Sequence, residues 1–252
     1  MTIDVTVEEG VKTLRMNRPE KKNALTNEMY HTLADEMIAA DNDASVGAVL
    51  FLGAGGAFTS GNDVGDFMKQ ATGQAPAEEG ERGVARFLRQ QVEGKTPLIA
   101  GVEGLAIGVG ATMLFQCDLV YAADNAMIKT PFLDLGVVAE NASSYLAPLI
   151  IGHQKAFEML CLGEGFTAEQ AYHAGFVNRV CSVDEVETVA RDAARRVAAK
   201  PPRAMEITRG LMRADTEKRA ARMQEESDHF AAQLKSDEAR NAFMAFMNRK
   251  AG

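Results

Sequence analysis

A chain of 252 residues lies at the upper edge of what one hydrophobic core organises, which predicts one domain with a helical appendage. Its formal net charge of -8 argues against nucleic acid or an anionic membrane as the general partner, since both need a basic face, but leaves room for a small anionic ligand held by local cations. With 46% hydrophobic and 25% charged residues, no run of membrane-spanning length, no signal-peptide pattern and three unpatterned cysteines (Cys117, Cys161, Cys181), the expectation is a cytoplasmic globular protein without disulfides or a zinc site.

Ile3 to Arg15 alternates weakly about a Glu-Glu-Gly turn at residues 8–10, which predicts a hairpin. Thr26 is placed to cap a helix with Glu28 in its first turn and Met29, Leu33 and Met37 along one face. "SVGAVLFLGA" (45–54) is a continuous apolar run, as in a strand covered on both faces. The Gly- and charge-rich stretch 69–83 predicts a mobile loop or lid. A helix with Val84, Phe87, Leu88 and Gln91 on one face follows, and "TPLIAGVEG" (96–104) and "CDLVYAA" (117–123) repeat the buried-strand signal. Strands alternating with helices imply a parallel sheet with right-handed crossovers. From Val183 the chain reads as helix over 183–199, 201–213, 216–234 and 237–249, with Lys200-Pro201-Pro202 separating the first two. The expected division is a core over 1–182 and a helical region over 183–252 that packs on a neighbour.

Two glycine-rich segments, "GGAFTSGND" (55–63) and "GLAIGVGAT" (104–112), each follow a buried strand and open a helix. Glycine allows positive φ and close approach of backbone to a ligand, and a helix N-terminus offers unpaired N–H groups to negative charge. Two such turns could aim two N–H groups at one oxygen, an arrangement that stabilises an oxyanion. Neither segment is a P-loop or a dinucleotide fingerprint, and Ser60 sits in T-S-G-N rather than in a nucleophile elbow. His31, His153, His173 and His229 show no metal or triad spacing.

In "LGVVAENASSY" (135–145) a single carboxylate, Glu140, stands among apolar, small and uncharged residues. It lies either at a surface turn or in a dry pocket that raises its pKa. Asp63 and Asp66 open the helix after the first glycine-rich segment, where they favour its dipole; Asp63 is also placed to brace that loop.

The two loops at this separation resemble those of the crotonase (enoyl-CoA hydratase/isomerase) superfamily. "NRPEKKNALT" (17–26) resembles its first CoA-binding segment, "GGAFTSGNDVGDF" (55–67) its first oxyanion loop, and residues 104–136 its second loop and following strand. "GEGFTAEQAYHAGFVNRV" (163–180) resembles the segment after its active site. The likeness runs from about residue 10 to 182. It implies an α/β fold, a crotonase-like spiral of ββα units whose helical C-terminal region helps build a homotrimer or a dimer of trimers. It also implies an acyl-CoA substrate of fatty acid metabolism, as in β-oxidation, and no further cofactor, since the CoA thioester is itself the substrate. The backbone N–H groups of Ser60 and Val109 would hold the thioester oxygen. Lys22 and Ala24 would meet the adenine end of CoA, with Lys21 and Lys22 facing its phosphates and Arg249 and Lys250 as further candidates. Ala57, Asp63, Gly108 and Phe132 complete the implied substrate site. The family commonly has Gly where this chain has Val109, so a donor survives there only at negative φ.

Hydratases of the family use two glutamates, one to activate water and one to deliver a proton. The corresponding positions here are Thr112 and Phe132, neither an acid or a base. "TPFLDLGVVAENASSY" instead resembles the Δ3,Δ2-enoyl-CoA isomerase branch, in which a single glutamate maps onto Glu140 and moves a proton from C2 to C4 of a 3-enoyl-CoA. Asn141 replaces the Gly usual in that branch. Asp134 is the competing base. The readings left open are such an isomerase, another crotonase-type enzyme (including a hydratase-like one) on an unknown acyl-CoA, and a non-catalytic CoA-binding or assembly protein.

Overall fold

The computed structural model describes residues 2–63, 65–66, 80–213 and 215–251, with residues 246–251 described by their backbone alone. The expected hairpin is β1 (Ile3–Glu8) paired antiparallel with β2 (Val11–Met16). Glu9 and Gly10 both take positive φ in its turn, the handedness that suits a two-residue hairpin loop. Helix α1 (Asn27–Asp41) starts where Thr26 accepts a hydrogen bond from the Met29 amide, and it buries Met29, Leu33 and Met37. The three apolar runs become β3 (Ala48–Gly53), β4 (Leu98–Val102) and β6 (Leu119–Ala123), and α2 (Gly83–Glu93) buries Phe87, Leu88 and Gln91. Residues 69–79 of the expected lid lie outside the described residues.

With β9 (Arg179–Cys181) these strands form one sheet in the order β1-β2-β3-β4-β6-β9, parallel throughout except at the hairpin. A smaller sheet joins β5 (Leu105–Ile107), β7 (Met127–Lys129) and β8 (Phe166–Thr167). The short helix α3 (Val109–Thr112) leaves β5 directly, and α4 (Ser143–Ile151), α5 (His153–Leu160) and α6 (Ala168–Ala174) follow β7.

The helical region consists of α7 (Val183–Ala198), α8 (Pro202–Met212), α9 (Thr216–Gln233) and α10 (Asp237–Ala251). Its first helix packs on this chain's own large sheet. Ala190 and Ala194 pack against Leu50, Leu52 and Ile99 and cover one face of the large sheet. The approach is close enough that a Cβ on Gly101 would stand 3.0 Å from that of Ala190. Helix α9 returns across α2 and α4, which brings the tail to the candidate site. In "AFMAFM" (242–247), Phe243 is buried in the main core while Met244 is exposed.

Candidate active site

Residues 17–26 and 55–63 are stitched together by one buried side chain. Asn23, in the left-handed region at φ +56, accepts from the Arg18 amide (2.8 Å) and donates to the carbonyls of Ala54 (2.8 Å) and Ala57 (2.7 Å). The Thr59 hydroxyl donates back to the Asn23 carbonyl at 2.7 Å. Asp63 braces the loop as expected, accepting from Arg18 Nη1 at 2.6 Å and from the Gly65 amide at 2.9 Å. Burial works against its charge, yet the Arg18 contact and the Asp66 and Gly65 amides hold Asp63 below the usual carboxylate range.

The second glycine-rich loop is fastened to the first by a two-way bridge. The Thr59 amide donates to the Leu105 carbonyl (2.8 Å), and the Ile107 amide to the Thr59 carbonyl (3.0 Å). Gly61 therefore lies against the second loop: at φ +87, a Cβ on it would stand 2.8 Å from the Ile107 carbonyl oxygen. No other residue fits there.

This geometry corrects one expectation. The Ser60 N–H is spent on the Lys22 carbonyl at 2.9 Å, and its hydroxyl on the Lys21 carbonyl at 3.2 Å. Beyond Gly61, the N–H of Asn62 has no acceptor among the described residues, and neither does that of Val109. Val109 is the first residue of α3, where an amide is unpaired by construction. Val109 is not at positive φ; Gly108 before it takes +59, a value open to glycine. The two loops thus leave the amides of Asn62 and Val109 without acceptors among the described residues.

Glu140 is in the dry setting rather than at a surface turn. It is 7% exposed, and its Oε1 has no hydrogen-bond partner. Burial first, and then the nearby charge of Glu226, push its pKa up to about 8. It lines a cavity of about 350 Å³ together with Leu25, Tyr30, Asn62, Leu88 and Phe230. Tyr30 donates to the Asn62 side-chain oxygen, and its own pKa is raised by burial and then by the Glu140 charge, so the three groups form one neighbourhood. Asn141 and Ala142 take φ +62 and +55. Asn tolerates the left-handed region, which accommodates the departure from Gly at 141.

The remaining candidates separate. Asp134 is exposed and faces Gly163, with its Oδ2 3.1 Å from where a Cβ on that glycine would lie; it is not on the cavity wall. Thr112 and Phe132 are buried and bring no acid or base. Asp63 lines the cavity, whereas Lys22, Ala24, Ala57, Gly108, Phe132 and Val109 are not on its described wall. Ala24 and Ala57 are buried at the junction of the two stitched segments, Lys22 is exposed, and Gly108 adjoins the Phe132 ring. The side chains of Arg249 and Lys250 lie outside the described residues. Cations that do reach the cavity, Arg82 and Lys235, carried no sequence signal beyond their charge. Glu226 of α9 was also missed: it is buried and accepts from the amides of Ala142 (2.6 Å) and Ser144 (2.9 Å).

Comparison with known proteins bears on this arrangement. A family model described as enoyl-CoA hydratase/isomerase matches residues 6–251. Enoyl-CoA delta isomerase 2 of Rattus norvegicus is 37% identical over 98% of this chain, and that of Homo sapiens 37% identical over 99%. The chain spans 63% and 64% of the length of those two relatives. Among solved structures, an enoyl-CoA hydratase/isomerase from Pseudoalteromonas atlantica T6c has a TM-score of 0.93 at 38% identity, covering 99% of this chain and 98% of that one.

Proposed function

The chain belongs to the enoyl-CoA hydratase/isomerase family, and on that premise we propose that it shifts the double bond of a 3-enoyl-CoA to the 2-trans position. Glu140 removes a proton from C2. The electron pair delocalises through the C3–C4 double bond and the thioester carbonyl, giving a dienolate whose oxygen sits between the N–H groups of Asn62 and Val109. Glu140 returns the proton at C4, the double bond settles between C2 and C3, and the carboxylate is regenerated. A thioester α-proton is too weakly acidic for a carboxylate alone, so the two donors are essential; removal of one such donor typically costs roughly 2.7–4 kcal/mol. Burial matches the base to its task by raising its proton affinity toward neutral pH.

One observation carries this reading. Among the described residues a single buried carboxylate lines the cavity, and the positions that would hold the two glutamates of a hydratase are Thr112 and Phe132. The names of the rat and human relatives support the same direction. The test is to give the protein trans-3-hexenoyl-CoA and, separately, crotonyl-CoA. Formation of trans-2-hexenoyl-CoA with little hydration of crotonyl-CoA is the expected outcome; dominant hydration, or no turnover of either, counts against it.

A further inference from the structure

Glu140 and Glu226 are the two buried carboxylates among the described residues, 7% and 6% exposed. They come from distant parts of the chain and meet at the start of α4. That helix has no side-chain cap of its own, since its N-cap residue is Ala142. Glu226 supplies the cap from outside: Oε2 accepts the Ala142 N–H at 2.6 Å and Oε1 the Ser144 N–H at 2.9 Å. Burial raises the Glu226 pKa, and the two amides, one on each oxygen, oppose that rise by favouring the carboxylate over the acid. The position is also one where negative charge is favoured by the helix dipole.

The clamp acts on the turn that carries the proposed base. Asn141 and Ala142 are consecutive left-handed residues directly after Glu140, and an alanine does not hold that conformation without help. The Ser143 amide donates to the Glu140 carbonyl at 3.1 Å, closing the same turn. Release of the Ala142 amide would let the turn relax and swing the Glu140 side chain. Glu226 sits on α9, whose Ser227 and Phe230 line the cavity, so the C-terminal region reaches both the wall and the base.

We propose that Glu226 is a positioning residue for Glu140: by clamping the Ala142 and Ser144 amides it holds the left-handed turn that directs Glu140 into the cavity, and its charge opposes that of Glu140. This rests on the reading of Glu140 as the base. The other ionisable groups around Glu140 are Tyr30 on α1, Asp63 and Asp66 beside the first loop, Arg82 ahead of α2, and Arg222 and Lys235 on and after α9. Burial first, and then the charge of Glu226, raise the proton affinity of Glu140.

The experiment titrates Glu140 directly, by carbon NMR of protein labelled at glutamate carboxyls, with Glu140→Gln identifying the resonance. In Glu226→Gln, which removes the charge and faces an amide NH2 toward one of the clamped N–H groups, Glu140 should titrate about one unit or more lower. On trans-3-hexenoyl-CoA, kcat should fall about tenfold or more with KM within about threefold. Glu226→Asp keeps the charge and loses reach, so it should hold the titration within about half a unit and still lower kcat. An unchanged Glu140 titration in folded Glu226→Gln overturns the proposal, as does an unchanged kcat in Glu226→Asp. If wild type does not turn over the thioester and the titration still moves in Glu226→Gln, the isomerase reading fails and the coupling of the two glutamates is upheld.

Discussion

The amide of Ser60 donates to the carbonyl of Lys22 at 2.9 Å, and this bond decides which N–H of the first glycine-rich loop remains for chemistry. With the Ser60 amide on the Lys22 carbonyl and the Gly61 amide on the Thr59 hydroxyl oxygen (3.1 Å), the next donor of this loop without an acceptor among the described residues is Asn62. Val109 opens a helix, a position that accepts proline, so Val109→Pro deletes the donor and leaves the helix able to form. Its kcat/KM should fall about 10²–10³-fold, whereas Ser60→Ala should stay within about threefold of wild type. Equal losses in steady-state assays of the two variants would contradict the assignment.

Holding Glu140 in a dry site has a thermodynamic cost with a definite pH dependence. Its pKa rises from 4.5 in the ordinary state to about 8 in the fold, so between these values the native protein binds a proton that the unfolded chain has released. Stability contributed at this site is therefore full below about pH 4.5, declines as pH rises to about 8 and is flat above. Glu140→Gln escapes that decline. Denaturant melts should show the variant gaining on wild type from pH 5 to pH 9, by on the order of 4 kcal/mol at the upper end. A constant difference across that range would mean that Glu140 is solvated.

Asn23 should be the most sensitive polar residue of the loop junction. Its side chain serves one amide and two carbonyls within 2.8 Å, and its backbone is left-handed. Asn23→Ala leaves those groups without partners and puts a less suitable residue at positive φ. A loss of about 2–4 kcal/mol in urea unfolding is expected, and a loss under about 0.5 kcal/mol would contradict it.

Assembly into trimers or pairs of trimers is the expected quaternary state. Leu149, Phe157, Leu162, Leu211 and Met212 are exposed, the last two at 73% and 83%, and are the apolar side chains that subunit contacts would cover. Static light scattering should give three or six times the 27.2 kDa chain mass. A single-chain mass at micromolar concentration would contradict the expectation.

Much of the fold was legible because its signals are local. The alternation of residues 3–15, the Thr26 cap and the apolar runs of β3, β4 and β6 each depend on a few adjacent residues. The small sheet was not, since β5 and β7 are three residues long and β8 two, too short to carry a period. The seating of α7 on the large sheet escaped notice because it is made by Ala190 and Ala194, which give almost no hydrophobic signal. At the site, Glu140 stood out through its uncharged neighbours. That the Ser60 amide is not the free donor depends on its bond to the Lys22 carbonyl, a contact between two separate segments that no local pattern shows. Glu226 lies in a helix so rich in charge that it reads as solvated, and its partner amides are more than 80 residues away.

The central claim is that Glu140 moves the proton, and one comparison tests it most directly: trans-3-hexenoyl-CoA turnover by wild type and by Glu140→Gln across pH. Wild type should form trans-2-hexenoyl-CoA with kcat/KM rising to a plateau as the carboxylate ionises near pH 8. The variant should bind CoA thioesters normally and turn over at least about 10²-fold more slowly. Near-normal isomerisation by Glu140→Gln, above all with activity lost in Asp134→Asn, would contradict the account.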